Sequence, residues 1–436
     1  MTDAPFPIDR RTLLTSLGAT LVWPIAPVLA QKRTALALEA VVDTIALRPG
    51  QPPTPFWRLT GGPDAGPLRF RRGETVDVTL TNRLPVPIAL NWAGLDGDPA
   101  AEPFTGRPAI APDASATSSI TFRHAGTMLL DFRIFGDAAA RPSTGRAVIV
   151  SETETIAVDR DEVLIFQDWR IKPDGSAVAP SLTASDAPTT FTVNNIGTTE
   201  ITLSLNERLR LRFINSSQSI VIAIKIPNYD VRVMAIDGQP TEPFLARDGV
   251  VVVTPGSRID TFIEAEKAPN APSTIMLLDG REARPIGKLV TSEAKPARVT
   301  PLPRAMPLPS NGLPVQLDLK SALRINLPLG TADWVAPTAL MPTTAPAFKV
   351  KRGRVVVLAL TNRGAKPAAF YLHGHHFRLL DRLDDGWKPF WLDTLAIDAG
   401  QTQRVAFAAE FAGLYPIEAI ETNSAAPRKV RSYLVE

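Results

Sequence analysis

The sequence predicts an all-β chain built from three homologous β-sandwich domains with Greek-key connections, and three observations carry that prediction. First, a strand, glycine turn, strand unit recurs: Leu68 to Gly73 (LRFRRG) runs into Val76 to Asn82, and Phe348 to Gly353 (FKVKRG) runs into Val355 to Asn362. Second, Leu209 to Asn215 (LRLRFIN) repeats the second strand of that unit, and every copy alternates with period 2 and ends on an asparagine suited to a turn. The copies lie roughly 130 to 150 residues apart, the spacing of whole domains. Third, 41 prolines and 27 glycines punctuate a 436-residue chain that is 44% apolar and has almost no 3.6-period stretch, so long helices are not expected.

Taken in order, the chain opens on Asp9-Arg10-Arg11-Thr12-Leu13-Leu14 and an apolar run to Leu29, with Val28-Leu29-Ala30 spaced like a signal-peptidase site. This resembles a twin-arginine export signal over residues 1–30, which places the remainder in the periplasm and starts the mature chain at about Gln31. The first domain is expected over 31–155, closing with the strand at Ala147 to Val150. The second, over 156–297, begins with Val163 to Phe166. Residues 298–315 form a proline-rich linker, since Pro301, Pro303, Pro307 and Pro309 cannot donate to a sheet ladder. A third domain fills 316–436. Each domain carries a second shared unit: Pro112-Asp113 before Ile120 to Phe122, Pro255-Gly256 before Ile259 to Phe262, and Ala399-Gly400 before Val405 to Phe407. Beyond the signal, no run is long and apolar enough to span a membrane.

Charge and cysteine content exclude several classes. A formal net charge of +3, with signs alternating along the chain, offers no basic block for nucleic acid. The complete absence of cysteine removes disulfides, thiolate metal sites, iron–sulfur ligation and cysteine nucleophiles. No Gly-x-Ser-x-Gly nucleophile motif is present, and Met128, Met234 and Met276 are scattered, not gathered into a soft-ligand segment. Three of the four histidines fall in Leu372-His373-Gly374-His375-His376. On an extended strand His373 and His375 share a face and are the candidate metal ligands, while His376 points the other way. The plainer alternative is a buried strand whose imidazoles are satisfied by hydrogen bonds. His124, before a predicted turn, reads as a solvated loop residue.

Taken together, these motifs resemble the multicopper oxidase family over nearly the whole mature chain, which implies cupredoxin-like domains. Asn82-Arg83-Leu84-Pro85 resembles the family's first domain, Gln167-Asp168-Trp169 and Asp237-Gly238 its second, and Asp393-Thr394 followed by Gly400 its third. The family binds copper through four motifs. The first, His-Trp-His-Gly, corresponds to Asn91-Trp92-Ala93-Gly94, and the paired histidines of the second correspond to Asp131 and Arg133. The third puts Ala368 at the blue-copper histidine, Tyr371 at the next ligand and His373 at the one ligand position still histidine, while His375 matches a family histidine that does not ligate. The fourth, His-Cys-His with a further histidine downstream, corresponds to Glu418-Ala419-Ile420 and Ser424.

A blue-copper centre needs a thiolate and two imidazoles, and a copper cluster needs many imidazoles around one cavity. The resemblance therefore implies a copper-ligand-depleted member with a degenerate active site, in which Arg133 pairs with Asp131 or Glu418. No cofactor and no catalytic residue are expected. The expected role is a non-enzymatic, protein-binding scaffold whose partners are periplasmic envelope or divisome proteins. The alternative is a periplasmic, laccase-like oxidoreductase with a rearranged copper site at His373 and His375.

Overall fold

The computed structural model describes residues 33–63, 66–135, 142–180, 182, 187–266, 272–340, 343–381 and 386–436. The export signal expected over 1–30, with Arg10 and Arg11, lies outside the described residues. Thr34–Glu436 forms one compact unit.

Within Thr34–Glu436 the period-2 stretches fold as the alternation requires. Thr75–Asn82 buries every second residue, so Val76, Val78 and Leu80 enter the core while the intervening threonines and Asp77 lie toward the surface. Among the described residues the strands form six sheets, and helical structure is confined to the short 3₁₀ turns Pro99–Ala101, Arg247–Gly249 and Pro337–Ala339. No described helix is long and apolar enough to cross a membrane. The chain is all-β, with paired sheets enclosing three apolar cores, one in each third.

Each third repeats one pairing. Thr75–Asn82, Arg208–Asn215 and Val355–Asn362 run parallel to Thr34–Ile45, Arg160–Arg170 and Leu323–Leu329 on one side. On the other side they run antiparallel to Ser115–Thr121, Arg258–Glu264 and Thr402–Ala408. The terminal asparagines repeat as well. Asn82 Nδ2 donates to the carbonyls of Val86 and Ile110, Asn215 Nδ2 to those of Ile220 and Val253, and Asn362 Nδ2 to those of Lys366 and Ile397. Each Oδ1 accepts a backbone N–H two residues on, closing an Asx turn where the strand stops.

Buried polar contacts join the thirds. Arg258 donates twice to Asp393, and Asp260, which accepts from Arg210 and Arg212 of its own third, also accepts from Thr127 of the first. The proline-rich segment is extended but does more than cross the surface. Ala305 and Leu308 pack on Met234 and Phe262, and buried Asn311 exchanges hydrogen bonds with the backbone of Ala125 and with Gln239.

Candidate functional site: a charge network between the first and last thirds

Ile88–Ala93 pairs with Gly126–Ile134, setting Asn91 opposite Asp131 and Ala89 opposite Arg133. In the last third Ala368–Leu372 pairs with Gly413–Glu421, setting Tyr371 opposite Glu418. These two strand pairs meet. Arg133 Nη1 donates to Asp131 Oδ2 at 2.7 Å and its Nε to Glu418 Oε1 at 3.3 Å, so the pairing expected for Arg133 forms with both carboxylates. Asn91 Nδ2 donates to Asp131 Oδ1 at 2.6 Å, and Arg428 Nη1 to Glu418 Oε2 at 2.7 Å. A cavity of about 260 Å³ opens beside the network, bordered by Asn91, Asp131, Arg133, Ser219, Tyr371 and His373.

His373 closes the network. Its Nδ1 lies 2.8 Å from Glu102 Oε2 and its Nε2 2.8 Å from Glu418 Oε1. Both ring nitrogens face carboxylates, so the ring is an imidazolium donating from each. Burial alone would lower its pKa, but the Glu102 and Glu418 carboxylates hold it up at about 9. Burial likewise works against ionised Glu418, yet Arg133, Arg428 and His373 keep its pKa well below the usual carboxylate range. Three cationic groups, Arg133, Arg428 and His373, thus face Asp131, Glu102 and Glu418, with His373, Glu102 and Glu418 buried and the other three partly exposed.

The expectation that His373 and His375 share a strand face is not met. The strand ends at Leu372, and Gly374 adopts φ 75°, where a Cβ would meet the Tyr415 ring at 2.2 Å. His375 turns instead into an aromatic nest of Phe407, Phe411, Tyr415 and Tyr433. Tyr433 Oη donates to the His373 carbonyl, so His375 Nδ1–H donates to Tyr433 Oη at 2.8 Å and its Nε2 accepts the Phe411 N–H at 3.2 Å. Burial lowers its pKa to about 4, and it stays neutral. His376 reaches a third environment, with Nδ1 2.7 Å from Asp96 Oδ2 and Nε2 donating to the Asp237 carbonyl at 2.9 Å. Despite burial, Asp96 raises its pKa to about 9.

His124 is buried, not solvated, and lies 3.0 Å from the same Asp96 oxygen. Asp96 and Glu102 were not singled out by sequence reasoning. Each approaches its histidine from about 270 to 280 positions away. The only local hint is that Asp96 follows the Asn91-Trp92-Ala93-Gly94 motif.

Family profiles described as multicopper oxidase match residues 160–277 and 314–418. The multicopper oxidase MmcO of Mycobacterium tuberculosis is 22% identical over 415 residues, covering 80% of this chain and 77% of that protein. Laccase-1 of Thanatephorus cucumeris is 27% identical over 249 residues, but the chain spans only 43% of its length. A solved multi-copper oxidase from Pseudomonas thermotolerans superposes with a TM-score of 0.77 at 20% identity, covering 93% of this chain and 99% of that one.

The residues that the resemblance puts at copper positions offer few donors for copper. Two imidazoles and a thiolate are required at a blue-copper site, and here Ala368 and Ala419 stand there in a chain without cysteine. At the cluster positions a guanidinium is fixed between carboxylates, and the remaining imidazole, His373, has both nitrogens engaged.

Proposed function

We propose that this chain, which belongs to the multicopper oxidase family, works without copper as an exported binding scaffold of the cell envelope. The observation that supports this reading is the ionic network at the cluster positions: Asp131 and Glu418 engage Arg133, and Glu418 also engages His373, leaving no set of free imidazoles for copper. What remains for selection is a rigid frame carrying many loops, the usual location of binding residues. Export by the twin-arginine route through Arg10 and Arg11 would place that frame in the periplasm. By the family resemblance, one copper-free member of similar design is the division protein SufI, also called FtsP, so the partners would be periplasmic parts of the division machinery.

Metal analysis and absorption spectroscopy of the exported protein, together with in-cell crosslinking, test this. The expected result is no blue absorption, no oxidase turnover on added copper, and recovery of envelope proteins in the crosslinks. Several equivalents of bound copper with turnover would replace the scaffold by a copper oxidoreductase. No envelope protein above background, with normal septation in a deletion strain, would remove the division role.

A further inference from the structure

Asp96, His124 and His376 form a second buried group that the charge network does not use. Asp96 follows the strand Ile88–Ala93, His124 precedes Gly126–Ile134, and His376 comes from the turn after Ala368–Leu372, so loops of the first and last thirds bring the three together. Asp96 Oδ2 is 2.7 Å from His376 Nδ1 and 3.0 Å from His124 Nδ1. One donor atom from each residue lies within 4.8 Å of the other two, and all three side chains are buried.

Four details of the geometry favour a shared ion over a simple ion pair. Both rings present the same edge, Nδ1, to one carboxylate oxygen. Behind His376, Nε2–H donates to the Asp237 carbonyl at 2.9 Å, the outer bond that fixes a ligating imidazole's orientation and tautomer. Gln239, held by Asn311 Nδ2 donating to its Oε1 at 2.9 Å, lies 3.1 Å from His124 Nδ1 and 3.4 Å from His376 Nδ1, so it covers one side of the group. On another side a void of about 10 Å³, close to the room one water needs, is bordered by Asp96, His376 and half-buried Glu410.

We propose that Asp96, His124 and His376 are the ligands of one borderline divalent cation of the Zn²⁺ class, with a fourth position open toward Glu410. Two imidazoles, one carboxylate and an open position form a familiar zinc donor set, whereas Ca²⁺ and Mg²⁺ demand oxygen ligands. Ligand atoms about 2.0–2.1 Å from a tetrahedral ion stand about 3.3 Å apart. The distances from Asp96 to His376 and His124 therefore need to open by about 0.6 and about 0.3 Å. None of these residues is at a copper-ligand position of the family, so the site is independent of the copper-free reading and stands or falls separately.

Calorimetric titration of the untagged, exported chain with Zn²⁺, and visible spectroscopy with Co²⁺, test it. One equivalent of saturable binding and the intense absorption of tetrahedral Co²⁺ are expected. His124→Gln and His376→Gln should each weaken Zn²⁺ binding by more than the roughly 10–100-fold that loss of an outer-shell partner costs. Should those variants not fold, zinc X-ray absorption on the unmutated protein decides: two imidazoles and a carboxylate support the site, and fewer than two imidazoles overturn it. Absence of saturable binding, binding unchanged in both folded variants, or binding lost with His373→Gln but kept with His376→Gln would also overturn it.

Discussion

The two places that the resemblance assigns to copper are filled by different physics. At the blue-copper positions Ala368 and Ala419 join an apolar core with Phe370, Leu372 and Phe407. At the cluster positions Asn91, Asp131, Arg133, His373 and Glu418 form a chain of charges, completed by Glu102 and Arg428. The difference follows from location. One lies within a single sandwich, where small apolar side chains leave no buried polar group to satisfy. The other lies where two sandwiches meet, and the charges there need partners because Glu102, His373 and Glu418 are buried. Apolar filling is tolerant of small changes, and a charge network is not.

The largest expected effect tests that contrast. Glu418→Gln keeps the shape but leaves Arg133, Arg428 and His373 short of a buried carboxylate, and should cost on the order of 3–5 kcal/mol in denaturant unfolding. Ala419→Gly, which removes one buried methyl in the apolar region, should cost only about 1 kcal/mol. Equal costs for the two variants would break the comparison.

A smaller effect comes from pH, because the neighbouring histidines titrate in opposite senses. His373 binds its proton more tightly when folded, with a pKa of about 9 against 6.5. Its contribution of roughly 3 kcal/mol is therefore complete below about pH 6.5 and is lost as pH rises through 9. His376, also about 9, acts in the same window. His375, held at about 4, does the reverse: the unfolded chain takes up a proton below pH 6.5 that the folded ring refuses, so stability falls as pH drops from 6.5 toward 4. Melting temperatures should thus decline on both sides of near-neutral pH, and His373→Gln should flatten the alkaline limb while leaving the contribution of His376. An unchanged alkaline limb in that variant would show that His373 is not held as an imidazolium.

How much of the fold and the site is legible in the sequence depends on how local each determinant is. The strands and their terminal asparagines are readable, because period-2 alternation and Asx turns are set within a few residues, as Asn82, Asn215 and Asn362 show. The pairing of Arg133 is readable too, since the family's motifs bring its position and those of Asp131 and Glu418 to one cavity. Glu102 and Asp96 are not, because their partnerships arise only when segments far apart in sequence pack. The shared face expected of His373 and His375 fails for a local reason. Gly374 between them fits a strand pattern, but takes the left-handed conformation that ends the strand. His124 reads as solvated because a turn follows it, and nothing nearby in sequence reveals the Asp96 and Gln239 that bury it.

The smallest expected effect sharpens the boundary between the two regions, at Tyr371. Its ring packs with Ala369 and Ile420 and lies 4.9 Å beneath the Arg428 guanidinium, while its hydroxyl donates to the buried carbonyl of Pro255 at 2.7 Å. Burial raises its pKa to about 12, so it stays a neutral donor across the working pH range. Tyr371→Phe keeps the apolar contact and the cation–π contact and removes one neutral hydrogen bond, which should cost about 1 kcal/mol, or somewhat more for the carbonyl left without a donor. Because no charge is unpaired, the alkaline limb of the stability profile should be unchanged. A loss comparable to that of Glu418→Gln, or an altered alkaline limb, would mean that Tyr371 belongs to the charge network and that the division between apolar and ionic filling runs elsewhere.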